Sequence, residues 1–185
     1  MLERFKGDSG KRLLIDALSA QLIVRGNADL AEELASVSEL LEIAQGQSII
    51  EQDDSTNDIF FILAGSFAII VNGRVVARRG AGDQVGEMGA IEPTQPRSAT
   101  VTALENSVVA KVTEPAFDEL GKKYPILYKF IAQVLSKRLK ERNALVKLTS
   151  AKIRIFIISS TESLPVARLI QDGFSYDNFD VILWS

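Results

Sequence analysis

From Leu40 to Val112 the chain is cut into short pieces. Gly46, the polar run from Gln52 to Asp58, Gly65, Asn72-Gly73, Gly80-Ala81-Gly82-Asp83 and the stretch Pro93 to Pro96 separate brief apolar runs. That spacing points to many short strands joined by tight turns, as in a β-barrel or jelly roll. Asn72-Gly73 lies between the apolar run 67–71 and the run 74–77, which signals a hairpin closed by a type I′ turn. Ala99, Val101 and Ala103 alternate with Ser98, Thr100 and Thr102, the pattern of a half-buried strand. Val108, Ala110 and Val112 repeat the alternation on a partner strand.

Helical texture flanks this segment. Leu13, Leu14, Ile15, Ala17, Leu18, Leu22 and Ile23 predict an amphipathic helix over 11–24 that stops near Gly26. Asn27 can cap a second helix carrying Leu30, Ala31 and Leu34. Pro115 suits a first helical turn ahead of Phe117 and Leu120. Pro125 opens a longer helix to about Leu148, with Leu127, Phe130, Ile131, Val134, Leu135 and Leu139 on its apolar face. Lys137, Arg138, Lys140, Arg142 and Lys147 crowd its second half. They read as a solvated face, the alternative being a contact to an acidic partner. Leu135, Leu139, Leu145 and Val146 give the helix 125–148 more apolar surface than one flank needs, which predicts a homodimer through it.

After Lys152 the texture changes again. Ile153, Ile155, Phe156, Ile157 and Ile158 read as a strand buried on both faces. Ser159 and Glu162 have capping-box spacing. Val166, Leu169 and Ile170 form a helix face with Gly173 as its stop, and 180–184 is a second buried strand. This is one β-α-β unit. Such a unit cannot bury a parallel sheet alone, so the expectation is a fragment of a longer protein. The expected fold class is α+β: a domain over 1–148 (helices 11–36, barrel 40–113, helices 115–148), then an incomplete α/β unit over 149–185.

Composition removes whole classes of function. The 185 residues contain no cysteine and no histidine. Disulfides, thiol chemistry, zinc fingers and imidazole bases are therefore excluded, and no carboxylate cluster suggests another metal. The absence of histidine also excludes a metal-holding cupin enzyme. A net charge of −3 does not suit a broad nucleic-acid-binding face. No apolar run spans a membrane and the N-terminus has no secretory signal, so the expected location is cytoplasmic.

The chemistry concentrates between Gly82 and Ala103. Gly86 and Gly89 allow a tight turn and close backbone approach. Met88, Gly89, Ala90 and Ile91 can form one helical turn whose first N–H groups are free for an anion. Arg97 can grip two phosphate oxygens at once. Ser98 adds a hydroxyl, and the N–H groups of Ser98 and Ala99 lie beside it. Glu87 is an acceptor suited to sugar hydroxyls. Together these residues suit a ligand with both a phosphate and a sugar.

With this spacing, Gly86-Glu87-Met88-Gly89-Ala90-Ile91 and Arg97-Ser98-Ala99-Thr100 resemble the phosphate-binding cassette of cyclic nucleotide-binding domains. The resemblance covers about residues 11–148. It implies that Arg97 grips the cyclic phosphate and that Glu87 takes the ribose 2′-hydroxyl. Gly86, Ser98, Ala99 and the backbone of Met88, Gly89 and Ala90 would complete the nest. Two departures stand out: Gln52-Asp53-Asp54 replaces the family's usual glycine turn, and Gly89 replaces the more usual Ala or Ser, which predicts a roomier site. Residues 152–185 resemble the start of a bacterial TIR-like domain. The order of the two parts is similar to the TIR effectors of Pycsar antiphage defence. That resemblance implies a cyclic UMP or other cyclic pyrimidine ligand, NAD as the substrate of a longer protein, and TIR self-assembly. Ser159, Ser160 and Glu162 would then line the NAD side, with no catalytic residue inside this chain and no bound cofactor. The alternatives are a regulatory module for cyclic AMP or cyclic GMP serving another effector, or a transcription regulator, which would need a helix-turn-helix after the long helix.

Overall fold

The computed structural model describes residues 1–149, 153–174 and 179–184, which fall into two compact units, Met1–Arg138 and Leu139–Ser185. A short 3-10 turn over Leu2–Phe5 leads into α1 (Gly7–Ser19). The apolar spacing predicts a helix running on to residue 24. Instead α1 stops at Ala20, and the chain turns so that Gln21 donates its side-chain amide to the Ile62 carbonyl at 3.0 Å. Ile23 and Val24 are fully buried in that turn rather than on a helix face. Asn27 caps α2 (Ala28–Val37) as expected, accepting from the Leu30 N–H at 3.1 Å.

Eight strands then form two antiparallel four-stranded sheets. They are β1 (Glu39–Ile43), β2 (Ser48–Ile50), β3 (Ile59–Ala64), β4 (Ser66–Val71), β5 (Arg74–Gly80), β6 (Gln84–Val85), β7 (Thr100–Ala103) and β8 (Ser107–Val112). One sheet runs β1-β8-β3-β6 and the other β2-β7-β4-β5. The predicted hairpin is β4–β5, where Val71 pairs with Arg74 and both Asn72 (φ 50°) and Gly73 (φ 74°) take the left-handed backbone a type I′ turn needs.

The period-2 pattern of β3 explains how the layers stack. Phe60 and Ile62 point between the sheets, joining Ile43, Ile50, Phe67, Val85, Val101, Ala103 and Val109. Ile59, Phe61 and Leu63 point the other way, into a second core with Leu18, Leu30, Leu34, Phe117, Leu127, Ile131 and Val134 from the helices. The arrangement is a jelly-roll sandwich with helices on one outer face. Those helices include α3 (Glu87–Ile91), α4 (Glu114–Lys123) and α5 (Ile126–Thr149). Pro115 sits in the first turn of α4, as its missing N–H allows.

The second unit contains β9 (Ile153–Ile158), a 3-10 turn over Thr161–Ser163, α6 (Leu164–Gly173) and β10 (Phe179–Trp184). β9 and β10 pair in parallel, so the predicted β-α-β unit is present. Two expectations about it fail. Phe156 and Ile158 are 57% and 83% exposed, not buried on both faces. Val166, Leu169 and Ile170 do share one face of α6, which ends at Gly173 as expected, although that face is exposed and Ala167 is the buried residue of the helix. No capping box forms: Ser159 donates to the Ser160 carbonyl, and neither helical segment has a side-chain cap.

Candidate functional site

β6 delivers the chain to Gly86, whose φ of +89° turns it into the five-residue α3. An added Cβ there would lie 2.5 Å from the Asp58 carbonyl oxygen and 3.1 Å from Arg97 Nη1, so the position accepts only glycine without strain. Gly89 is the other close approach. A Cβ on it would stand 2.8 Å from Arg97 Nη1, so the space left by the missing side chain is filled by the guanidinium. The roomier site expected from Gly89 is therefore taken up by Arg97.

Arg97 is 4% exposed. Its backbone is pinned to the loop after β2: its N–H donates to the Asp54 carbonyl and its carbonyl accepts from Asp53, both at 2.9 Å. Asp53 holds φ +67° there, so an aspartate performs the turn that glycine usually makes. The guanidinium donates to Thr56 Oγ1 at 3.3 Å, the Gly86 carbonyl at 3.0 Å and the Asp58 carbonyl at 2.7 Å. All three acceptors are neutral. The carboxylate of Asp58 is instead paired with Lys111 at 2.9 Å. Burial pushes the guanidinium below its ordinary pKa, with Asp58, Asp54 and Glu87 pulling it back. An arginine has five N–H donors, so two remain for an anion. A desolvated cation with neutral neighbours gains most from an anionic ligand.

Glu87 is 4% exposed and sits at the start of α3. Its Oε1 accepts from Arg138 Nη1 at 2.5 Å, while its Oε2 is buried and has no hydrogen-bond partner. A buried carboxylate oxygen without a donor is costly unless a ligand hydroxyl supplies one. Met88 is exposed, Gly89 and Ala90 are buried, and Ala99 is half-buried. Ser98 is exposed, with its hydroxyl 3.7 Å from the Met88 sulfur. The structure thus gathers Gly86, Glu87, Met88, Gly89, Ala90, Arg97 and Ser98 in one place, with Ala99 next in the chain. Ser159, Ser160 and Glu162 lie in the second unit, where Ser160 donates to Glu162 at 3.5 Å.

Sequence reading missed Thr56 and Arg138. Thr56 had no signal beyond a polar loop. Arg138 did have one: Leu127, Ile131 and Val134 are the buried stripe of α5, and 138 is the next position on it. The run of basic residues concealed a cation facing inward. The described residues hold no group of three His, Cys, Asp or Glu able to bind a metal, and no helix among them is long and apolar enough to cross a membrane.

A buried arginine beside a glycine turn, a half-satisfied glutamate and a jelly-roll frame define a class of protein that binds cyclic nucleotides. The family model of the cyclic nucleotide-binding domain matches residues 40–124, just under half of the chain. Solved structures agree on the fold. The cAMP-bound PfPKA-R matches with a TM-score of 0.66 and 20% identity, over 73% of this chain and 47% of its own. The Thermus thermophilus catabolite activator protein matches at 0.62 and 22%, over 70% and 63%. More specifically, the whole chain is similar to two curated proteins. The Pycsar effector protein BcPycTIR of Burkholderia cepacia is 49% identical over 185 residues, and XpPycTIR of Xanthomonas perforans is 44% identical over 184. The chain spans 61% of the length of each.

Proposed function

We propose that the first unit binds a 3′,5′-cyclic nucleotide monophosphate and acts as the sensor of a Pycsar-type effector in antiphage defence. The observation that carries this reading is the Arg97–Glu87 pair: a buried guanidinium with donors to spare beside a buried carboxylate with an oxygen to spare. Arg97 takes the cyclic phosphate, with the free N–H groups of α3 and the Ser98 hydroxyl around it. Glu87 takes the ribose 2′-hydroxyl. The resemblance to Pycsar effectors favours a cyclic pyrimidine, with cyclic UMP first. The test is parallel calorimetric titration with cyclic UMP, CMP, AMP and GMP. Tightest binding of a pyrimidine supports the reading. Tightest binding of cyclic AMP overturns the base preference, and no binding at all overturns the sensor.

The second unit, in this reading, is the beginning of a TIR-like NAD hydrolase domain, with Ser159, Ser160 and Glu162 toward the dinucleotide. Its parallel β-α-β order is not a helix-turn-helix, which favours this reading over a transcription regulator. A ligand shifts an equilibrium only by binding one state better. Closure of α5 over the base supplies that difference and repositions the chain beyond Lys152. A longer protein then consumes NAD only when the nucleotide is present, while the 185-residue chain binds the nucleotide and leaves NAD intact. NAD consumption by this chain alone overturns the domain reading. The chain pairs with a second copy through 125–148, where Leu139 is 59% exposed. Leu145 and Val146, also expected at that contact, lie outside the residues whose side chains are described. A monomeric mass by light scattering at tens of micromolar overturns the pairing.

A further inference from the structure

The loop between β2 and β3 places three residues around Arg97, each with a different task. Asp58 offers its backbone carbonyl to Nη2 at 2.7 Å, while its carboxylate is drawn away to Lys111 at 2.9 Å. Thr56 offers its side chain. Its Oγ1 accepts from Arg97 Nε at 3.3 Å and donates to Asp54 Oδ2 at 3.1 Å. Asp54 takes the Ser55 N–H on its other oxygen at 2.7 Å, and its backbone carbonyl takes the Arg97 N–H at 2.9 Å. The side chains therefore stand in a fixed order: carboxylate, hydroxyl, guanidinium.

That order has two consequences. A planar guanidinium bonded at Nε, Nη1 and Nη2 to three separate acceptors cannot swing. Two of the acceptors are the backbone carbonyls of Gly86 and Asp58, so Thr56 is the one side chain of the three. A hydroxyl that donates to a carboxylate also becomes a better acceptor on its other side, since hydrogen bonds in a chain polarise one another. The second consequence concerns charge. An Asp54 carboxylate lying directly on Arg97 would make the strong pair that arginine forms with carboxylates, and it would compete with a phosphate for the same cation. The interposed hydroxyl holds that carboxylate one hydrogen bond away. Thr56 and Asp54 are both exposed, so packing does not hold them apart.

We infer that Thr56 is a positioning residue for the phosphate site: its hydroxyl fixes the plane of Arg97 and stands between that cation and Asp54, so that the guanidinium stays open to an anion. This rests on the cyclic-nucleotide reading above, with Arg97 on the phosphate.

The test is calorimetric titration of the intact chain with whichever of cyclic UMP, CMP, AMP and GMP binds wild type tightest. The variants are Thr56→Val, Thr56→Ser, Asp54→Asn and the Asp54→Asn/Thr56→Val double variant. Thr56→Val removes the hydroxyl and should weaken binding about tenfold, the order of one hydrogen bond to a charged group. Thr56→Ser restores the hydroxyl and should bind within about twofold of wild type. In the Asp54→Asn background the Thr56→Val step should cost less than about threefold, because the competing charge is gone. Circular dichroism checks folding, and Thr56→Ala replaces the valine variant if that one does not fold. Wild-type affinity in Thr56→Val overturns the inference. So does an equal loss in Thr56→Ser, which would assign the effect to shape. An undiminished loss in the Asp54→Asn background overturns it too, since a purely structural threonine would not sense the charge at residue 54. These three outcomes leave the sensor reading in place. No wild-type binding to any of the four nucleotides overturns that reading and this inference with it.

Discussion

β3 reads Ile-Phe-Phe-Ile-Leu-Ala and β9 reads Ile-Arg-Ile-Phe-Ile-Ile, six residues each. Their fates differ. β3 lies between β8 and β6 and is covered on both faces, so its first five residues are all buried. β9 pairs with β10 alone among the described residues. Phe156 and Ile158 alternate onto one face beside their partners Ile182 and Trp184, and that face is largely open: Trp184 is 67% exposed. An apolar run fixes the preference for strand, but burial requires neighbouring layers. Charge divides in the same way: every buried polar or charged residue among those described, Gln21, Gln84, Glu87, Arg97 and Ser107, lies in the first unit. Enclosure is what allows a polar group to be held in a fixed place.

The sharpest way to break this comparison is to cut the same side chain from each strand. Phe61→Ala opens a cavity between sheet and helices and should cost about 3–5 kcal/mol in urea unfolding monitored by circular dichroism. Phe156→Ala removes an exposed ring and should change stability by no more than about 0.5 kcal/mol, read through the fluorescence of Trp184. Equal losses would mean that the open face of β9 is covered in solution.

Enclosed charge gives the next largest effect. Arg97→Ala should abolish measurable nucleotide binding, since losing one partner of a desolvated pair costs about 2–5 kcal/mol. That is on the order of 30- to several-thousand-fold in affinity. Arg97→Lys should fail as well, because an ammonium cannot reach the Gly86 and Asp58 carbonyls and an anion in one plane. Wild-type affinity in the lysine variant, measured by calorimetry, would show that enclosure of this residue serves the fold and not the ligand.

Smaller effects come from the rim of the first unit. Asn27→Ala deletes the one side-chain cap of α2 and should lower thermal stability by about 1 kcal/mol. α6 has no side-chain cap to lose, so Ser163→Ala should leave stability unchanged. Smallest of all is an acid effect. Glu33 accepts from Lys123 and, at 2.8 Å, from the Tyr124 hydroxyl. These bonds hold its carboxyl below the ordinary 4.5, the lysine contributing most. A carboxyl depressed in the folded state contributes stability that is present above 4.5 and fades as pH falls through the folded value. The melting temperature should therefore fall less between pH 6 and pH 3 in Glu33→Gln than in wild type, and identical falls would show that this exposed contact adds nothing.

Much of the molecule was legible in the residues alone. Turn chemistry placed the β4–β5 hairpin at Asn72-Gly73, alternation placed Val101 and Ala103 inside, and Asn27 marked the start of α2, because each depends on neighbours within a few positions. That Gly86, Glu87 and Arg97 come together was legible for the same reason, since they fall within a dozen residues. What only the tertiary structure decided are facts of long separation. Arg138 meets Glu87 across 51 positions, and Arg97 meets the Asp58 carbonyl across 39. Local pattern assigned Arg138 a charge and a place on a helix, but the direction of that charge was set by how α5 packs on the sheet. It also assigned β9 an apolar run, but exposure was set by how many layers stand beside it. Local preference is written into a few adjacent side chains, while burial and pairing belong to elements that meet only after the chain has folded.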